Sequence, residues 1–521
     1  MSMTAAAKKR LIALHGWSAT VLAVLLYVVM LTGTIIVFDN EIRLWSEGLS
    51  DMQSPLRHDI APLVDRFAAQ VPPALHDTIR IGRGTGDNIM LQFSGRATDA
   101  FGDSHQFLRA FEIQPKSGLL IAAHAGELGE VDLRPPGHAL EEFLVDLHVR
   151  LHVPGRWGLY LSGLAGISML IAAITGVLIH RHILREIFVT ERPGQRIVSF
   201  RDRHNLAGVW SLPFAVLLSF TGAFLSFATS LGLPVVALSA FGGDQERAIA
   251  AVLGTPPASA STPAQMSDID AIFYRAAAVG RSFPAGAEIR GYGSSQAEVR
   301  TFHSAPEGAL RSVTLRYDGT TGDLIGRANL VGTAPSAGNT LAELIAPLHF
   351  GNFAGLWSRL LWAAMGAAMT YTIITGLHLW LRRRADSWVG GERVLAITVW
   401  GLPIALTGAA YGYFLTRLTG DPITGTNAGF VLTATSCLIA AILWRNRPLP
   451  WLKQIFIRTL GMALVALPVL RLQTGGLSWG EALVQDADML LFIELLCLMG
   501  GATCLWLSRP APRLTTDVAA E

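Results

Sequence analysis

Long apolar stretches alternate with polar ones along the whole chain, and eight apolar stretches are long enough to cross a bilayer. A helix needs about 20 mostly apolar residues to span the hydrocarbon layer. The predicted spans cover residues 11–38, 157–181, 205–232, 356–381, 393–416, 427–444, 453–471 and 487–507. The pattern therefore predicts a polytopic α-helical membrane protein, with large polar loops at 39–156 and 233–355.

The two large loops share one pattern of hydrophobic positions. Each begins with an amphipathic helix, at 60–70 and 269–279, and continues with strand-like alternation. Each also contains a hairpin, at 110–120 and 315–325, in which a glycine supplies the tight turn. We therefore expect two small α+β domains, one in each loop.

The membrane spans repeat together with the loops. Trp157 precedes Thr175 at the same spacing as Trp357 precedes Thr375. The unit of helix, loop domain and helix thus recurs in residues 11–381, which predicts a pseudo-two-fold core of four helices. The remaining spans, within residues 393–507, form a four-helix C-terminal extension.

Composition agrees with a membrane protein and excludes several other classes. Of the 521 residues, 51% are hydrophobic and only 15% are charged, which is too apolar for a soluble protein of this length. The net charge of +2 gives no sign of nucleic-acid binding. All three cysteines fall in apolar spans, so no disulfide framework or thiolate metal site is predicted.

The basic clusters between the spans predict the topology. They would all lie on one side of the membrane if both termini are cytoplasmic, as the positive-inside rule requires. The two large loops would then be periplasmic. Lys8-Lys9-Arg10 precede an apolar run that is long for a signal peptide, so residues 11–38 are expected to remain as the first membrane helix.

A histidine and a threonine–glycine pair recur at one spacing in both repeats. His15 precedes Thr32-Gly33, and His204 precedes Thr221-Gly222 at the identical spacing. From the histidine to the glycine is about five turns of a helix, so the two residues would share one face. An imidazole in a membrane helix needs a partner, and a glycine on its face leaves room for a bulky group. One flat ligand in each leaflet, most simply a haem, fits both features.

The repeat also predicts which histidines face each other. His15 and His204 are equivalent, and so are His148 and His349, which precede Thr175 and Thr375 at nearly the same spacing. Two imidazoles on opposite sides of a porphyrin would give a low-spin iron suited to electron transfer. We expect His15/His204 to hold a cytoplasmic-side haem and His148/His349 a periplasmic one. The glycines expected to make room for the two haems are Gly33 and Gly222 on the periplasmic side and Gly176 and Gly376 on the cytoplasmic side.

Other residues remain open as ligands or as partners of the haem propionates. His152 follows His148 at i+4 and is the leading substitute ligand, and His180, His182 and His378 are further candidates. Arg156 and Arg359 could pair with propionates on the periplasmic side. No side chain is assigned an acid–base role. Glu494 lies inside the last span, where an ionisable residue is a functional candidate, although the sequence identifies no partner for it.

The motifs around these histidines resemble those of a known family. Leu14-His15-Gly16-Trp17, Asp146-Leu147-His148, Asp202-Arg203-His204-Asn205 and Pro347-Leu348-His349 are similar to stretches of the PepSY-associated transmembrane family. Its members include di-haem inner-membrane ferric-siderophore reductases. The resemblance covers roughly residues 8–385 and identifies the loop hairpins as PepSY-like. It implies a bacterial inner membrane, two b-type haems and reduction of a periplasmic ferric chelate.

The expected function is a transmembrane electron conduit. A quinol or a small reductase would supply electrons on the cytoplasmic side, and a ferric siderophore or another iron chelate would accept them outside. Two alternatives stay open: a haem-free PepSY membrane protein that modulates a partner or a protease, and a component of a siderophore or iron transporter. The sequence does not identify the chelate or the donor.

Overall fold

A computed structural model describes most of the chain. The described residues are 4–51, 53–98, 104–180, 196–253, 262–305, 309–332 and 334–509.

Helices dominate the described residues. In the first part of the chain they are α1 (Ala5–Val21), α2 (Ala23–Ile36), α3 (Asp39–Glu47), α4 (Ala61–Ala68), α5 (Ala139–Arg150), α6 (Trp157–Ile179), α7 (Arg196–Phe227), α8 (Leu233–Ala240), α9 (Gln245–Leu253) and α10 (Ile269–Gly280). They continue with α11 (Ala337–Phe350), α12 (Gly355–Arg382), α13 (Gly391–Arg417), α14 (Pro422–Leu443), α15 (Leu449–Thr474), α16 (Trp479–Val484) and α17 (Asp488–Leu507).

The two large loops supply the strands. They are β1 (Thr78–Arg83), β2 (Ile89–Thr98), β3 (Ser104–Gln114), β4 (Leu119–Glu127), β5 (Gly286–Arg290), β6 (Glu298–His303), β7 (Val313–Asp318) and β8 (Leu324–Arg327).

Seven of the helices in the described ranges are long and apolar enough to cross a membrane. They begin with α6 and α7, the latter from Phe200, and continue with α12, α13, α14, α15 and α17. Helices α1 and α2 would add an eighth span if they act together, but the helices Ala5–Ser18 and Ala23–Ile36 meet at an angle of 64°. The protein is thus a multi-pass membrane protein, and its first predicted span consists of two helices rather than one.

Two compact units make up the chain. One comprises Met1–Asp39, Asp51–His138 and Leu144–Thr375, and the other comprises Asn40–Ser50, Ala139–Phe143 and Gly376–Glu521. The first unit contains nearly all of both copies of the predicted repeat.

The membrane helices of the first unit share one apolar core. Leu26 of α2, Ala165 and Met169 of α6, Ala215 of α7 and Met369 of α12 pack together there. Helix α1 packs on α6, α6 on α7, and α11 on α7. Small residues allow this close packing.

The two large loops form one sheet rather than two separate ones. Its strand order is β4-β3-β2-β1-β5-β6-β7-β8, so four strands from each loop meet where β1 pairs antiparallel with β5. At this junction Ile79 lies opposite Ile289. The prediction of two separate α+β domains is therefore wrong: the strands form a single eight-stranded sheet. Strands β1 and β5 would each be an unpaired edge in a separate domain, and here they pair with each other.

One hydrophobic core lies under six of the eight strands, β1–β3 and β5–β7. Phe67 of α4, Phe273 of α10, Ile79 and Ile289 are all almost fully buried in it. Asp270, at the start of α10, accepts hydrogen bonds from the amides of Ile60 and Ala61 at 2.9 and 3.0 Å, where α4 begins. A side chain from the second loop therefore caps the helix of the first.

The opposite face of the sheet carries ion pairs. Glu288 accepts from Arg80 at 3.1 Å and from Arg290 at 2.5 Å. Burial by itself raises the pKa of Glu288, but the charge of Arg290 and the hydrogen bonds from Arg290 and Arg80 outweigh it and lower the pKa. Arg80 and Glu288 come from different loops, so this ion pair also joins the two halves of the sheet.

The second unit is a bundle of α13, α14, α15 and α17 that also includes α3. Trp45 of α3 packs edge-on against Phe414 at 5.0 Å between ring centres. Arg417 donates to the carbonyl oxygens of Ser46 at 2.9 Å and Glu47 at 2.8 Å, at the C-terminal end of α3. A guanidinium at a helix C-terminus complements the helix dipole.

Candidate functional site: two facing histidine pairs

The first histidine pair joins α1 and α7. The ring centres of His15 and His204 are 6.2 Å apart, with an angle of 71° between the ring planes. The two residues occupy equivalent positions in the repeat, and the structure brings their imidazoles together.

The second pair joins α5 and α11. The ring centres of His148 and His349 are also 6.2 Å apart, and their planes are tilted by 36°. Both helices lie outside the candidate membrane spans. Burial lowers the pKa of both imidazoles, so both are held in the neutral form that binds metals.

Each histidine of the first pair is anchored on a different helix by its Nδ1 atom. His15 Nδ1 lies 2.9 Å from the Ala172 carbonyl oxygen, and His204 Nδ1 lies 3.0 Å from that of Thr372. Both carbonyls come three residues before a threonine–glycine pair, at Thr175 and Thr375. The hydroxyl oxygens of these threonines are also near, at 3.2 and 3.4 Å from the respective Nδ1 atoms.

The second pair is anchored in a related way. His148 Nδ1 lies 2.9 Å from the Val29 carbonyl oxygen, three residues before Thr32-Gly33. His349 Nδ1 instead lies 2.9 Å from the hydroxyl oxygen of Thr221. All four threonine–glycine pairs of the repeat therefore stand beside one histidine each.

These contacts fix the tautomer of all four imidazoles. A carbonyl oxygen only accepts, so Nδ1 must carry the proton in His15, His148 and His204. The Thr221 hydroxyl donates its own proton to the Leu217 carbonyl at 2.7 Å, so its oxygen accepts from His349. In each ring Nε2 is then left with the lone pair, as a metal ligand requires.

The glycines of the motif make room for imidazole rings of neighbouring helices. A Cβ atom on Gly33 would lie 2.7 Å from Cε1 of His148, and one on Gly222 would lie 3.1 Å from Cε1 of His349. A Cβ on Gly176 would lie 3.4 Å from Cε1 of His15. The sequence assigned these glycines to the space of a haem, and the structure places the candidate ligand side chain itself against three of them. Gly376 follows Thr375 in the corresponding position.

The four substitute ligands have different surroundings. His152 Nδ1 is 2.9 Å from an Asp146 carboxylate oxygen, so that nitrogen already has a partner. His180 directly follows the last residue of α6, and His378 lies near the charges of Lys453, Glu392 and Arg382 in the second unit. His182 lies outside the described residues. Neither ring pair includes His152, His180 or His378.

Of the two arginines expected near the propionates, Arg156 is exposed and Arg359 is half-buried. Arg156 is the residue just before α6, and Arg359 lies in the first turns of α12, where Nε is 3.4 Å from the Gly355 carbonyl oxygen. Both follow closely after the helices that carry His148 and His349.

The second unit holds a buried ion pair that the sequence did not predict as a pair. Arg471 and Glu494 are 0% and 3% exposed, and the guanidinium Nε donates to the carboxylate. The indole of Trp479 donates to the other carboxylate oxygen, and Arg471 Nη1 donates to the Leu477 carbonyl at 2.9 Å. Glu494 was recognisable as an ionisable residue in a span, but its partner lies on another helix, α15, and no sequence pattern connects the two.

The sheet also carries an open groove of about 650 Å³ between the C-terminal end of α4 and strands β3 and β4. Val71, Leu75 and Phe107 give it an apolar lining, and Arg109 adds one positive charge. Its volume lies in the range of about 300–1,000 Å³ that is usual for small-molecule sites.

Among the residues that the structure describes, no cluster of three or more His, Cys, Asp or Glu side chains could hold a bare metal ion. A haem iron needs at most two protein ligands, one on each side of the ring. The histidine pairs are therefore suited to a metal that brings its own equatorial ligands.

Comparisons with known proteins cover the part of the chain that holds the paired histidines. Residues 12–383 match the family described as PepSY-associated TM region. The match contains all four paired histidines and the whole eight-stranded sheet, and α13–α17 lie beyond it. The chain is also 31% identical over 285 residues to Uncharacterized protein PA4219 of Pseudomonas aeruginosa, a match that covers 52% of this chain and 70% of that protein.

Proposed function

The chain belongs to the PepSY-associated TM region family, and we propose that it is a haem-dependent oxidoreductase that reduces a ferric chelate across a membrane. His15 and His204 would bind one b-type haem, and His148 and His349 a second. A bound haem supplies a one-electron Fe(III)/Fe(II) couple. The chelate, a ferric siderophore or a similar complex, would be held against the sheet and would release Fe(II).

The observation that carries this proposal is the geometry of the two pairs. Two imidazoles that bind opposite sides of one metal through Nε2, with bonds of about 2 Å, have ring centres about 6 Å apart. Both pairs have ring centres 6.2 Å apart. Direct ring packing also allows this distance, but packing alone does not require Nδ1 to be the protonated nitrogen in four rings out of four.

The surrounding residues would prepare each ring for a metal. The Nδ1 hydrogen bonds to Ala172, Thr372, Val29 and Thr221 orient the imidazoles before any ligand arrives. Because Nδ1–H donates to an oxygen, the ring becomes a stronger electron donor at Nε2. Gly33, Gly222 and Gly176 leave space for these ring positions. Arg156 and Arg359 could bind anionic propionates in the outer leaflet.

The proposed sidedness follows from the basic clusters. We place both termini in the cytoplasm of a bacterium and the sheet in the periplasm, with the chain in the inner membrane. His15/His204 then form the inner pair and His148/His349 the outer pair. Reporter fusions after Arg384 and Asn446 should be cytoplasmic, and fusions within 60–120 should be periplasmic. A cytoplasmic signal from the first loop would contradict this topology.

Absorption spectroscopy of the purified full-length protein tests the proposed function directly. We expect a red protein with two haems per chain and low-spin, bis-histidine spectra. Adding a ferric chelate to the reduced protein should reoxidise both haems. A haem-free PepSY protein and an iron transporter both predict a colourless preparation, and correctly folded colourless protein from haem-replete cells would refute the proposal.

A further inference from the structure

The four Nδ1–H groups donate to two different kinds of oxygen. In the inner pair both acceptors are backbone carbonyls, those of Ala172 and Thr372. In the outer pair His148 also donates to a carbonyl, but His349 donates to the side-chain hydroxyl of Thr221. His349 is therefore the one imidazole of these four whose Nδ1–H donates to a hydroxyl oxygen and not to a carbonyl oxygen.

The exception arises from the position of Thr221 in α7. Thr221 is 1% exposed, and its hydroxyl proton is committed to the Leu217 carbonyl at 2.7 Å. The hydroxyl oxygen can then only accept, and it lies 2.9 Å from Nδ1 of His349. In the equivalent site, the Thr32 hydroxyl donates to the Val28 carbonyl at 2.7 Å, yet His148 uses the Val29 carbonyl instead.

A carbonyl and a hydroxyl differ in how strongly they pull on the Nδ1 proton. Amide resonance places more negative charge on a carbonyl oxygen than an alcohol oxygen carries. A stronger acceptor gives the imidazole more imidazolate character, which stabilises Fe(III) and lowers the reduction potential of a bound haem. The inner pair has two strong acceptors and the outer pair has one.

We propose that Thr221 is a positioning residue that gives the outer haem the higher reduction potential, so that electrons flow downhill from the inner pair to the outer pair. This inference rests on the proposed function and adds a direction to it. One electron would pass from a ferrous haem held by His15 and His204 to a ferric haem held by His148 and His349. All four Nδ1 protons would stay in place, so this electron transfer would require no proton transfer.

Equilibrium redox potentiometry on the full-length protein, followed by haem absorption, tests this inference. We expect two one-electron steps, with the higher potential belonging to the outer haem. His349→Ala identifies the outer step, since it should remove or alter that step alone. Thr221→Val removes the acceptor at nearly constant volume and should shift the outer step to still higher potential. Thr221→Ser keeps the hydroxyl and should restore the wild-type value.

Thr375→Val is the matched control. The Thr375 hydroxyl oxygen is only a second contact of His204, at 3.4 Å, and the Thr372 carbonyl remains when it is lost. Both potentials should therefore stay at their wild-type values. Equal or inverted potentials in the wild-type protein, or an outer step unmoved by Thr221→Val, would overturn the inference and leave the proposed function intact. Absence of haem would remove both.

Discussion

Gly33 of α2 and His148 of α5 lie in direct contact, and a Cβ atom at Gly33 would come within 2.7 Å of the Cε1 atom of His148. No side chain can occupy that position unless the imidazole moves. The contact links a glycine of the first repeat to a ring that the sequence paired with His349. The corresponding distances at Gly222 and Gly176 are longer, so alanine substitutions at the three glycines can be ranked by the space available.

Alanine substitution of three glycines should give a graded loss of haem. Gly33→Ala displaces His148 and should strongly reduce occupancy of the outer site. Gly222→Ala, where the gap to Cε1 of His349 is 3.1 Å, should have a smaller effect on the same site. Gly176→Ala meets His15 at an ordinary contact distance of 3.4 Å and should retain both haems. The pyridine haemochrome assay gives haem per chain.

Gly176→Ala is the internal control of this series, since it tests alanine in the same motif. If Gly176→Ala lost as much haem as Gly33→Ala, disturbed helix packing would explain the loss in both variants, and displacement of the histidine ring would not.

Removal of one ligand from each pair should affect different haems. His15→Ala should change the spectrum and potential of the inner haem, and His349→Ala those of the outer one. Truncation of an axial imidazole can leave a five-coordinate haem, so spectra must accompany haem counts. A membrane-impermeant reductant added on the periplasmic side of oriented vesicles should still reduce the outer haem of His15→Ala. Loss of the same haem in both variants would show that the rings do not pair as the structure has them.

Arg471 and Glu494 should stabilise the second unit only as a pair. Removal of one partner from a buried ion pair typically costs about 3–5 kcal/mol, because an uncompensated charge remains. Arg471→Met should therefore lower the melting temperature in detergent markedly. The double variant Arg471→Met/Glu494→Leu should recover much of that loss. Additive losses in the double variant would instead indicate that each side chain acts through separate contacts.

Stability of the sheet should fall in mild acid because of His303. This side chain is 2% exposed, and its Nδ1 donates to the Ser282 carbonyl at 2.9 Å. Burial lowers the pKa of His303 from 6.5. Below that value the unfolded chain takes up a proton that the folded imidazole resists, so the stability contribution is full above about pH 6.5 and declines as the pH falls towards the folded pKa.

Thermal unfolding of wild type and His303→Gln at several pH values between about 7.5 and 5.5 measures this effect. The variant should show a smaller loss on acidification. The same pH dependence in both proteins would assign the effect to other groups.

The pairing of histidines could be predicted from sequence because it depends only on the repeat. His15 and His204 hold equivalent positions, and a pseudo-two-fold arrangement brings equivalent residues to opposite sides of its axis. The structure places both predicted ring pairs at the same separation. The partners of Nδ1 could not be predicted, because the carbonyls of Ala172 and Val29 are remote in sequence from His15 and His148, on helices whose crossing the hydropathy pattern does not define.

The sheet shows a similar limit. Alternation in β1 and β5 indicates which side chains face the core, and Ile79 and Ile289 are buried there. It does not indicate which strand lies next to which, since any two edges with the same pattern could pair. The prediction of two separate domains therefore recognised the strands of each loop but not the junction between them. Likewise, the apolar run 11–38 contains no proline to mark the bend between α1 and α2.

The junction between β1 and β5 has a consequence for synthesis of the protein. Thr78 pairs with Arg290, so the first half of the sheet is complete long before its neighbour leaves the ribosome. From Glu127 at the end of β4 to Arg290, at about 5–20 residues per second, the wait lasts roughly 8 to 33 s. During that interval β1 is an uncovered strand edge that any other extended chain could join. Slower translation between the two loops would prolong this exposure, and aggregation of nascent chains should rise with it.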